Sequence, residues 1–204
     1  MDINSKGRLY IVSAPSGAGK TTLCSMLIKK YPAVHYSISY TTRKPRGSEV
    51  HGKEYFFVSK DEFKKMKDQN QFLEWAEVHG NYYGTSQKQI EDALNKGTDI
   101  ILDIDPQGAM QLKDKTGNNA TYIFITAPSL EELKNRLVNR GTDKEEHITL
   151  RLNNAKKEME YFKDYDYLII NDATDTAFLQ LESIYLAEKL RTNQYKQVID
   201  FMNI

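Results

Sequence analysis

The sequence predicts an α/β fold in which helices flank a parallel sheet, with a small mixed β subdomain inserted and a helical lid. Two observations indicate the parallel sheet: strand and helix patterns alternate along the chain, and a glycine-rich turn joins the first strand to the first helix. A third observation separates the insertion. Residues 35–85 hold short aromatic strands and one clear helix, which is typical of a small mixed or antiparallel sheet.

The size and composition of the chain fit one compact domain. A chain of 204 residues buries about 70% of the surface that its unfolded form exposes. Its 28 Lys and Arg residues balance 28 Asp and Glu residues, which argues against a dedicated nucleic-acid or membrane-surface protein. Cys24 is the only cysteine, so no intrachain disulfide forms. Because neither a signal-peptide pattern nor a membrane-length apolar run is present, we predict a cytoplasmic protein with no nucleic-acid or membrane partner, and leave its oligomeric state open.

The elements of the parallel sheet follow from short apolar runs. The first strand is predicted at residues 8–13 and the first helix at about 20–30. Three further runs are typical of buried parallel strands, at residues 100–105, 122–126 and 167–170. Because helices alternate with these strands, we expect all of them to join one sheet.

Capping patterns mark the helix starts. A Ser or Thr followed three residues later by Glu or Gln predicts a helix start at four positions: Ser59, Ser86, Ser129 and Thr142. Gly97 and Gly141 stand where glycines would end two of these helices. The helix of the insertion is expected at about 60–69, among strands in the segments YSISYTTR, EYFFVS, FLEWAEV and NYYGT.

These patterns predict one domain over residues 7–191, followed by a tail at 192–204. A region dense in charge and poor in apolar residues forms the predicted lid, as two helices broken at residues 140–142. The predicted core comprises three segments, at about 7–34, 86–128 and 164–191. The predicted insertion lies at about 35–85 and the predicted lid at about 129–163.

A glycine-rich sequence between the first strand and the first helix resembles a phosphate-binding loop (P-loop). Residues 13–21, SAPSGAGKT, match G-x-x-x-x-G-K-[ST] except that Ala14 replaces the first glycine. Gly17 and Gly19 let backbone N–H groups turn toward an anion, and the helix N-terminus adds its dipole. The alternative is a strand-to-helix turn with a chance lysine. The strand and helix context favours nucleotide binding.

Lys20 and Thr21 supply the ammonium and hydroxyl groups of this loop. Lys20 suits the β- and γ-phosphates of a nucleotide, and the Thr21 hydroxyl is a candidate ligand of Mg²⁺. An apolar strand ends at Asp103, the position of a metal-side acid, so Asp103 is a candidate for orienting Mg²⁺ through water. Two residues on, Asp105 is expected on the same side of the strand.

A second basic cluster lies inside the insertion. Arg43 and Arg46 stand close together in SYTTRKPR, and guanidinium groups are preferred bidentate ligands of phosphate. Residue patterns alone favour a solvated loop here, and favour core or rim positions for Tyr55 and Tyr83. They also place Glu74, in the strand FLEWAEV, on the outer face of its sheet by default.

Seven segments that occur in order make the chain resemble the guanylate kinase family, which makes GDP from GMP with ATP. They are SAPSGAGKT, SISYTTRKPR, GKEYFFVS, FLEWAEVHGNYYGTS, LDIDPQG, RLVNRGT and YDYLIIND. The resemblance runs from about Gly7 to Arg191, and TTRKPR and GNYYGT are its more specific motifs. Departures are few: Ala14 replaces a glycine, Thr85 a serine of some relatives, and Pro106 a bulkier residue.

The resemblance implies the residues of two nucleotide sites. It implies that nine residues bind GMP: Ser39, Arg43, Arg46, Tyr55, Glu74, Tyr83, Thr85, Asp103 and Asp105. It implies that a second set binds ATP: Ala14, Pro15, Ser16, Gly17, Ala18, Gly19, Lys20, Thr21, Arg140 and Asn171. The implied catalytic residues are cationic: Lys20, Arg43, Arg136, Arg140 and Arg151. Thr21 and Asp103 are implied on the side of Mg²⁺, the cofactor that accompanies ATP.

The implied substrates are ATP, GMP and dGMP. In this assignment Glu74 accepts hydrogen bonds from guanine N1–H and N2–H, donors that adenine does not offer together. Two alternatives stay open. Guanylate-kinase-like domains of membrane-associated scaffold proteins bind phosphopeptides, but they degrade the phosphate loop, whereas Lys20 and Thr21 are retained here. A kinase for a different nucleoside monophosphate is the second alternative, and Glu74 with Thr85 argues against it.

Overall fold

The structure, a computed structural model, describes residues 6–78, 80–139 and 145–191. The strands and α-helices of these residues occur in the following order: β1 Leu9–Ser13, α1 Lys20–Lys30, β2 Val34–Tyr36, β3 Tyr40–Thr41, β4 Phe56–Phe57, α2 Lys60–Asp68, β5 Phe72–Val78, β6 Asn81–Ser86, α3 Gln87–Asn95, β7 Asp99–Asp103, α4 Pro106–Thr116, β8 Ala120–Thr126, α5 Leu130–Asn139, α6 Glu145–Glu158, β9 Tyr167–Ile170 and α7 Thr174–Lys189.

The first sheet is parallel and has the strand order β2-β7-β1-β8-β9. Every residue of β1 and β8 is buried, as expected for central strands with helices on both faces. On one face, α1 and α7 contribute Leu23, Leu27 and Leu181 to an apolar layer. On the other, α3 and α4 contribute Ile90 and Leu112. The predicted parallel sheet flanked by helices is therefore confirmed.

The phosphate loop lies where β1 and β7 end. The register pairs Val12 of β1 with Asp103 of β7, so the carboxyl ends of these neighbouring strands meet at one edge. α1 begins at Lys20, as predicted, and Gly19 is its N-cap residue in the left-handed conformation. In open α/β sheets, ligands bind outside the carboxyl ends of the strands. The fold therefore places the loop at the edge where a nucleotide site is expected.

The insertion forms a second sheet with the strand order β4-β3-β6-β5. β3 is parallel to β4 and antiparallel to β6, and β5 is antiparallel to β6, so the sheet is mixed as predicted. The prediction that YSISYTTR forms one strand of this sheet was wrong. Tyr36 ends β2 in the parallel sheet, and Ser37 N still donates to Ile101 O of β7 at 2.9 Å. The chain enters the second sheet only at Tyr40, the first residue of β3.

Three of the four predicted capping residues begin helices. Ser59, Ser86 and Ser129 each accept a hydrogen bond through Oγ from the backbone N–H three residues on, at the starts of α2, α3 and α5. Gly97 follows α3 with a φ of 78°, the conformation that ends many helices. Thr142 and Gly141 lie outside the described residues.

α4 is a helix that the sequence analysis did not predict. It begins at Pro106, directly after Asp105, whose Oδ1 accepts the backbone N–H groups of Gln107 at 2.9 Å and Gly108 at 3.0 Å. An Asp N-cap followed by Pro at the first helical position is a strong helix start. The expected strand over residues 100–105 is corrected accordingly: β7 ends at Asp103, and Asp105 caps a helix.

α5 and α6 lie in the predicted lid region. Leu133 and Leu137 of α5 and Ala155 of α6 are buried, so each helix turns an apolar side inward despite the charge density of the region. Within the described ranges, no helix combines the length and the apolar character needed to cross a bilayer.

Candidate active site

The phosphate loop is shaped by two glycines. Gly17 and Gly19 have φ values of 94° and 93°, which side chains other than glycine rarely adopt. Pro15 O accepts the backbone N–H of Ala18 at 3.1 Å, which closes a tight turn inside the loop. A Cβ atom on Gly19 would lie 2.2 Å from Nδ2 of Asn171. The loop conformation therefore requires glycine at both positions.

Asn171, which follows β9, is hydrogen-bonded to the backbone of this loop. Its side chain is buried, and its Nδ2 donates to Ala18 O at 2.8 Å. Its own backbone N–H donates to Thr126 O at 2.7 Å, which fixes it to the end of β8. No sequence pattern indicated this contact. The assignment of Asn171 to the ATP site stays a prediction.

Lys20 and Asp103 meet at the mouth of the loop. The Lys20 ammonium group forms an ion pair with the Asp103 carboxylate, across the paired ends of β1 and β7. Thr21 follows Lys20 on α1 and is exposed. A lysine and an acid held in this way give the site one cation for a nucleotide phosphate and one carboxylate for a metal ion.

Glu158, at the end of α6, also faces this part of the site, and the sequence analysis did not identify it. Burial raises the pKa of Glu158, the positive charge of Lys20 opposes that shift, and the negative charge of Asp105 adds to it. Glu158 also lines a cavity together with Ser16 and Arg151, so it lies beside the phosphate loop. An acid at the end of a charge-rich helix carries no sequence signal that separates it from surface acids.

The lid arginines have different surroundings. Arg151 of α6 donates from Nη1 to Ser16 Oγ of the phosphate loop at 2.6 Å. Arg136 of α5 instead donates from Nε to Glu132 at 2.7 Å on its own helix. Arg140 lies outside the described residues. A cavity of about 490 Å³, large enough for part of a nucleotide, is bounded by the phosphate loop and α6: Ser16, His147, Leu150, Arg151, Asn154 and Glu158.

Glu74 of β5 lies in the buried interior of the insertion, and its default placement on an outer face was wrong. Its side chain is 7% exposed. Oε1 accepts the Thr85 hydroxyl at 2.6 Å, and the Ser39 hydroxyl lies 3.4 Å from that of Thr85. A Cβ atom on Gly108 would lie 3.7 Å from Oε2, so the first turn of α4 borders the carboxylate.

Burial raises the pKa of Glu74, whereas the Thr85 hydrogen bond and the positive charge of Lys115 favour the ionised form. A buried carboxylate with one oxygen held by a hydroxyl has acceptor sites left for a ligand that offers N–H donors. This is the chemistry of a site that reads a base with two adjacent donors. The strand pattern of FLEWAEV could not reveal this burial, because it depends on Thr85 of β6 and on the first turn of α4.

The basic cluster of the insertion gathers two aromatic residues around Arg43. The Arg43 guanidinium carbon lies 5.3 Å from the centre of the Tyr55 ring, and the Tyr55 and Tyr83 rings meet edge to face at 6.0 Å. Arg46 is exposed on the same loop. Glu49, which the sequence analysis did not identify, pairs with Arg43 at 2.9 Å. The loop is therefore an ordered group of cations and hydroxyls that suits a phosphate.

Thr21 and Asp103 fit a Mg²⁺ ion that is bound partly by substrate and water, and they do not form a complete metal site by themselves. In the part of the chain that the structure describes, no group of three or more His, Cys, Asp or Glu side chains is gathered to hold a metal ion. Mg²⁺ is usually bound through one or two protein oxygens together with water and substrate phosphates. A hydroxyl and a carboxylate beside a phosphate loop match that donor set.

The parallel sheet, the phosphate loop at its carboxyl edge and the separate acceptor pocket define the class: a P-loop kinase of small phosphorylated molecules. A model of the family "Guanylate kinase" matches residues 6–188. The chain belongs to the guanylate kinase family.

Relatives of known name support this assignment. The chain is 52% identical to "Guanylate kinase" of Escherichia coli (strain K12), over 95% of this chain and 94% of the relative. It is 52% identical to "Guanylate kinase" of Geobacter sulfurreducens, over 92% of each. A crystal structure of guanylate kinase from Anaplasma phagocytophilum superposes with a TM-score of 0.74 at 31% identity, over 96% of this chain and 95% of that one. Sequence and structure thus agree over nearly the whole length.

Proposed function

We propose that this chain transfers the γ-phosphoryl group of ATP to GMP, giving ADP and GDP, in purine nucleotide metabolism and GMP recycling. The chain is an enzyme of the nucleoside monophosphate kinase class. One observation carries the choice of acceptor: Glu74 is buried in the insertion and its Oε1 is held by Thr85 at 2.6 Å, next to the first turn of α4. This geometry suits guanine, whose N1–H and N2–H groups are adjacent donors.

The acceptor phosphate is held at the other end of the insertion. Arg43 and Arg46 bind it by charge-assisted hydrogen bonds, and the hydroxyls of Tyr55 and Tyr83 complete its surroundings. Ser39 assists at the base, where its hydroxyl lies 3.4 Å from that of Thr85. dGMP offers the same base and phosphate, so it is a second acceptor. Asp105 caps α4 beside the base pocket, and its contribution is through that helix start.

ATP is held by the phosphate loop. Backbone N–H groups of the loop, among them those of Gly17 and Gly19, surround its phosphates, and Lys20 stands at the phosphate that is transferred. Thr21, and Asp103 directly or through water, would hold Mg²⁺, which would supply positive charge to neutralise the ATP phosphates. Arg136, Arg140 and Arg151 of the lid approach the transferring group from the other side.

The chain's own part in the reaction is positioning and charge stabilisation. The acceptor oxygen of GMP attacks the γ-phosphorus in line with the departing ADP, so no covalent enzyme intermediate is needed. Lys20 and the lid arginines counter the negative charge that spreads over the transferred group. Such a reaction runs in the cytoplasm, with small molecules alone as substrates.

A coupled assay that reports ADP formation tests the acceptor most directly. GMP, dGMP, AMP, CMP and UMP are supplied in turn with ATP and Mg²⁺, and kcat/KM is compared. We expect GMP to be preferred by several orders of magnitude over AMP, because a site built for hydrogen bonds rejects a base that lacks the donors. Equal rates with AMP and GMP would refute the guanine assignment. No turnover with any acceptor would favour the phosphopeptide-binding alternative.

A further inference from the structure

Glu49 holds the guanidinium group of Arg43 through two parallel hydrogen bonds. Nη1 donates to Oε2 and Nη2 donates to Oε1, each at 2.9 Å. The Arg43 side chain is 10% exposed and that of Glu49 is 24% exposed. A two-point pair of this kind fixes the orientation of the guanidinium plane as well as its position. The pair is therefore more constraining than an ordinary surface ion pair.

The donors that Glu49 uses are on one end of the guanidinium group. Nη1 gives its second N–H to Lys44 O at 2.8 Å. The remaining donors of Arg43, Nε–H and the second Nη2–H, point in parallel along the other edge. Neither Glu49 nor Lys44 uses that edge, and a parallel pair of N–H groups matches two oxygens of a phosphate. Glu49 thus holds Arg43 without occupying the edge that suits a ligand.

The same carboxylate also organises the backbone that carries Arg46. The backbone N–H of Arg46 donates to Oε2 of Glu49 at 2.7 Å, and that of Glu49 donates to Arg46 O at 3.0 Å. The hydrogen bonds from Arg43 and from the Arg46 backbone lower the pKa of Glu49, so it is ionised at neutral pH. The hydrogen bond to Glu49 likewise raises the pKa of Arg43.

We propose that Glu49 is a positioning residue for the phosphate of the acceptor nucleotide: its carboxylate aligns Arg43 and the Arg46 turn before GMP binds. The proposal rests on the assignment of these arginines to GMP. The opposite role, in which Glu49 competes with the phosphate for Arg43, is disfavoured because Glu49 and Lys44 use only the Nη1 donors and one Nη2 donor. Tyr83, which the proposed function also places at this phosphate, is another hydrogen-bond partner of the Arg43 side chain. The two roles predict changes of opposite sign in GMP affinity.

The test is the steady-state kinetics of Glu49→Gln in the full chain, with GMP and ATP varied separately. Loss of hydrogen bonds to a charged group is expected to raise KM for GMP by roughly 10- to 100-fold. KM for ATP stays near the wild-type value, and kcat changes much less than KM for GMP. The matched control is Glu54→Gln. Glu54 lies in the same loop and accepts the backbone N–H of Val50 at 2.7 Å, away from the arginines. It should leave both KM values near wild type.

A double-mutant cycle separates positioning from general loop stability. In an Arg43→Lys background the planar fork is absent, so adding Glu49→Gln should raise KM for GMP far less than it does in the wild type. An equal rise in both backgrounds would overturn the proposal, as would an unchanged or lowered KM for GMP. Glu49→Asp, which cannot reach both nitrogens, serves if Glu49→Gln fails to fold, and should also raise KM for GMP. Failure of the wild type to phosphorylate GMP would instead overturn the proposed function.

Discussion

Lys20 is the side chain on which transfer depends most in this account. It begins α1 directly after the left-handed Gly19 and pairs with Asp103, so its ammonium group is fixed at the mouth of the phosphate loop. Fixed charges aimed at the transferring phosphate stabilise the transition state without reorganising during the reaction. The ion pair with Asp103 keeps that charge in place while no nucleotide is bound.

We predict that Lys20→Met lowers turnover by about 10³-fold or more while the fold is retained, because a cation at the transferring phosphate is worth that much in related reactions. The measurement is kcat together with a circular dichroism spectrum. Lys29→Met, an exposed lysine in the last turn of the same helix, is the control and should keep normal turnover. A folded Lys20→Met variant with near-normal turnover would remove Lys20 from the site.

At Glu74, we predict that Glu74→Gln lowers kcat/KM for GMP by up to about 10⁴-fold and leaves ATP binding little changed. Glutamine offers one acceptor in place of two and adds an N–H₂ group that faces the guanine donors. Glu77→Gln, an exposed residue of the same strand, is the control. A comparable loss of ATP affinity, measured by titration, would show that Glu74 supports the fold rather than the base.

The elements of this fold differ in how well the sequence predicts them. β9 and α1 were predicted with the bounds that the structure shows, because a buried apolar run and a glycine-rich turn define them locally. α4 was missed although Asp105 and Pro106 mark its start. The segment YSISYTTR was predicted as one strand of the insertion, but Tyr36 and Ser37 pair with β7 of the parallel sheet, whereas Tyr40 begins β3 in the second sheet. Pairing between distant strands decides that, and no local pattern records it.

The candidate site shows the same division. The spacing of residues 13–21 predicts a phosphate loop. The structure places Lys20 of that loop in an ion pair with Asp103. Glu74 could be assigned only through the family resemblance, because its burial depends on Thr85 and on the first turn of α4. Glu49 and Glu158 were missed, because only the folded chain brings them to their partners. Glu49 pairs with Arg43, and Glu158 is influenced by the charges of Lys20 and Asp105.

One buried ion pair joins the last helix to the central sheet. Arg8, directly before β1, donates from Nη2 to Glu188 of α7 at 2.6 Å, and both side chains are nearly inaccessible. Thr121 of β8 donates to the same carboxylate oxygen at 2.9 Å. α7 is therefore fixed to two neighbouring strands by one acid.

We predict that Glu188→Ala lowers the free energy of unfolding by about 3–5 kcal/mol, because it leaves the buried Arg8 charge without its carboxylate. Lys53→Ala removes an exposed ion pair in which the Lys53 ammonium group lies 3.9 Å from the Glu54 carboxylate. This substitution should lower the free energy of unfolding by at most about 1 kcal/mol. Urea unfolding curves of the two variants provide the comparison. Equal midpoints would mean that the Arg8–Glu188 pair adds no net stability beyond that of an exposed pair.

At the scale of the whole molecule, the proposed sites for the two nucleotides belong to different parts of the fold. The phosphate loop belongs to the parallel sheet, whereas Arg43 and Glu74 belong to the insertion. In-line transfer needs the reacting atoms about 3–3.5 Å apart, and water must be excluded. An open cleft that admits two nucleotides does not meet both conditions, so the insertion and the lid are expected to close.

We predict that GMP drives most of the movement of the insertion and that ATP drives most of the movement of the lid. Distance labels on cysteines introduced at residue 70, just after α2, and at Gln180 of α7 report the first movement. Cys24 is buried, so labels react at the introduced cysteines. The distance should shorten with GMP, and shorten further with a nonhydrolysable ATP analogue. An unchanged distance with both nucleotides would rule closure out.

Direct transfer of a phosphoryl group between two bound nucleotides fixes the balance of the products. The protein is mixed with ATP, Mg²⁺ and GMP, and all nucleotides and inorganic phosphate are quantified by chromatography and ³¹P NMR. We expect equal amounts of GDP and ADP with no accompanying release of phosphate. Formation of ADP and inorganic phosphate without GDP would contradict direct transfer.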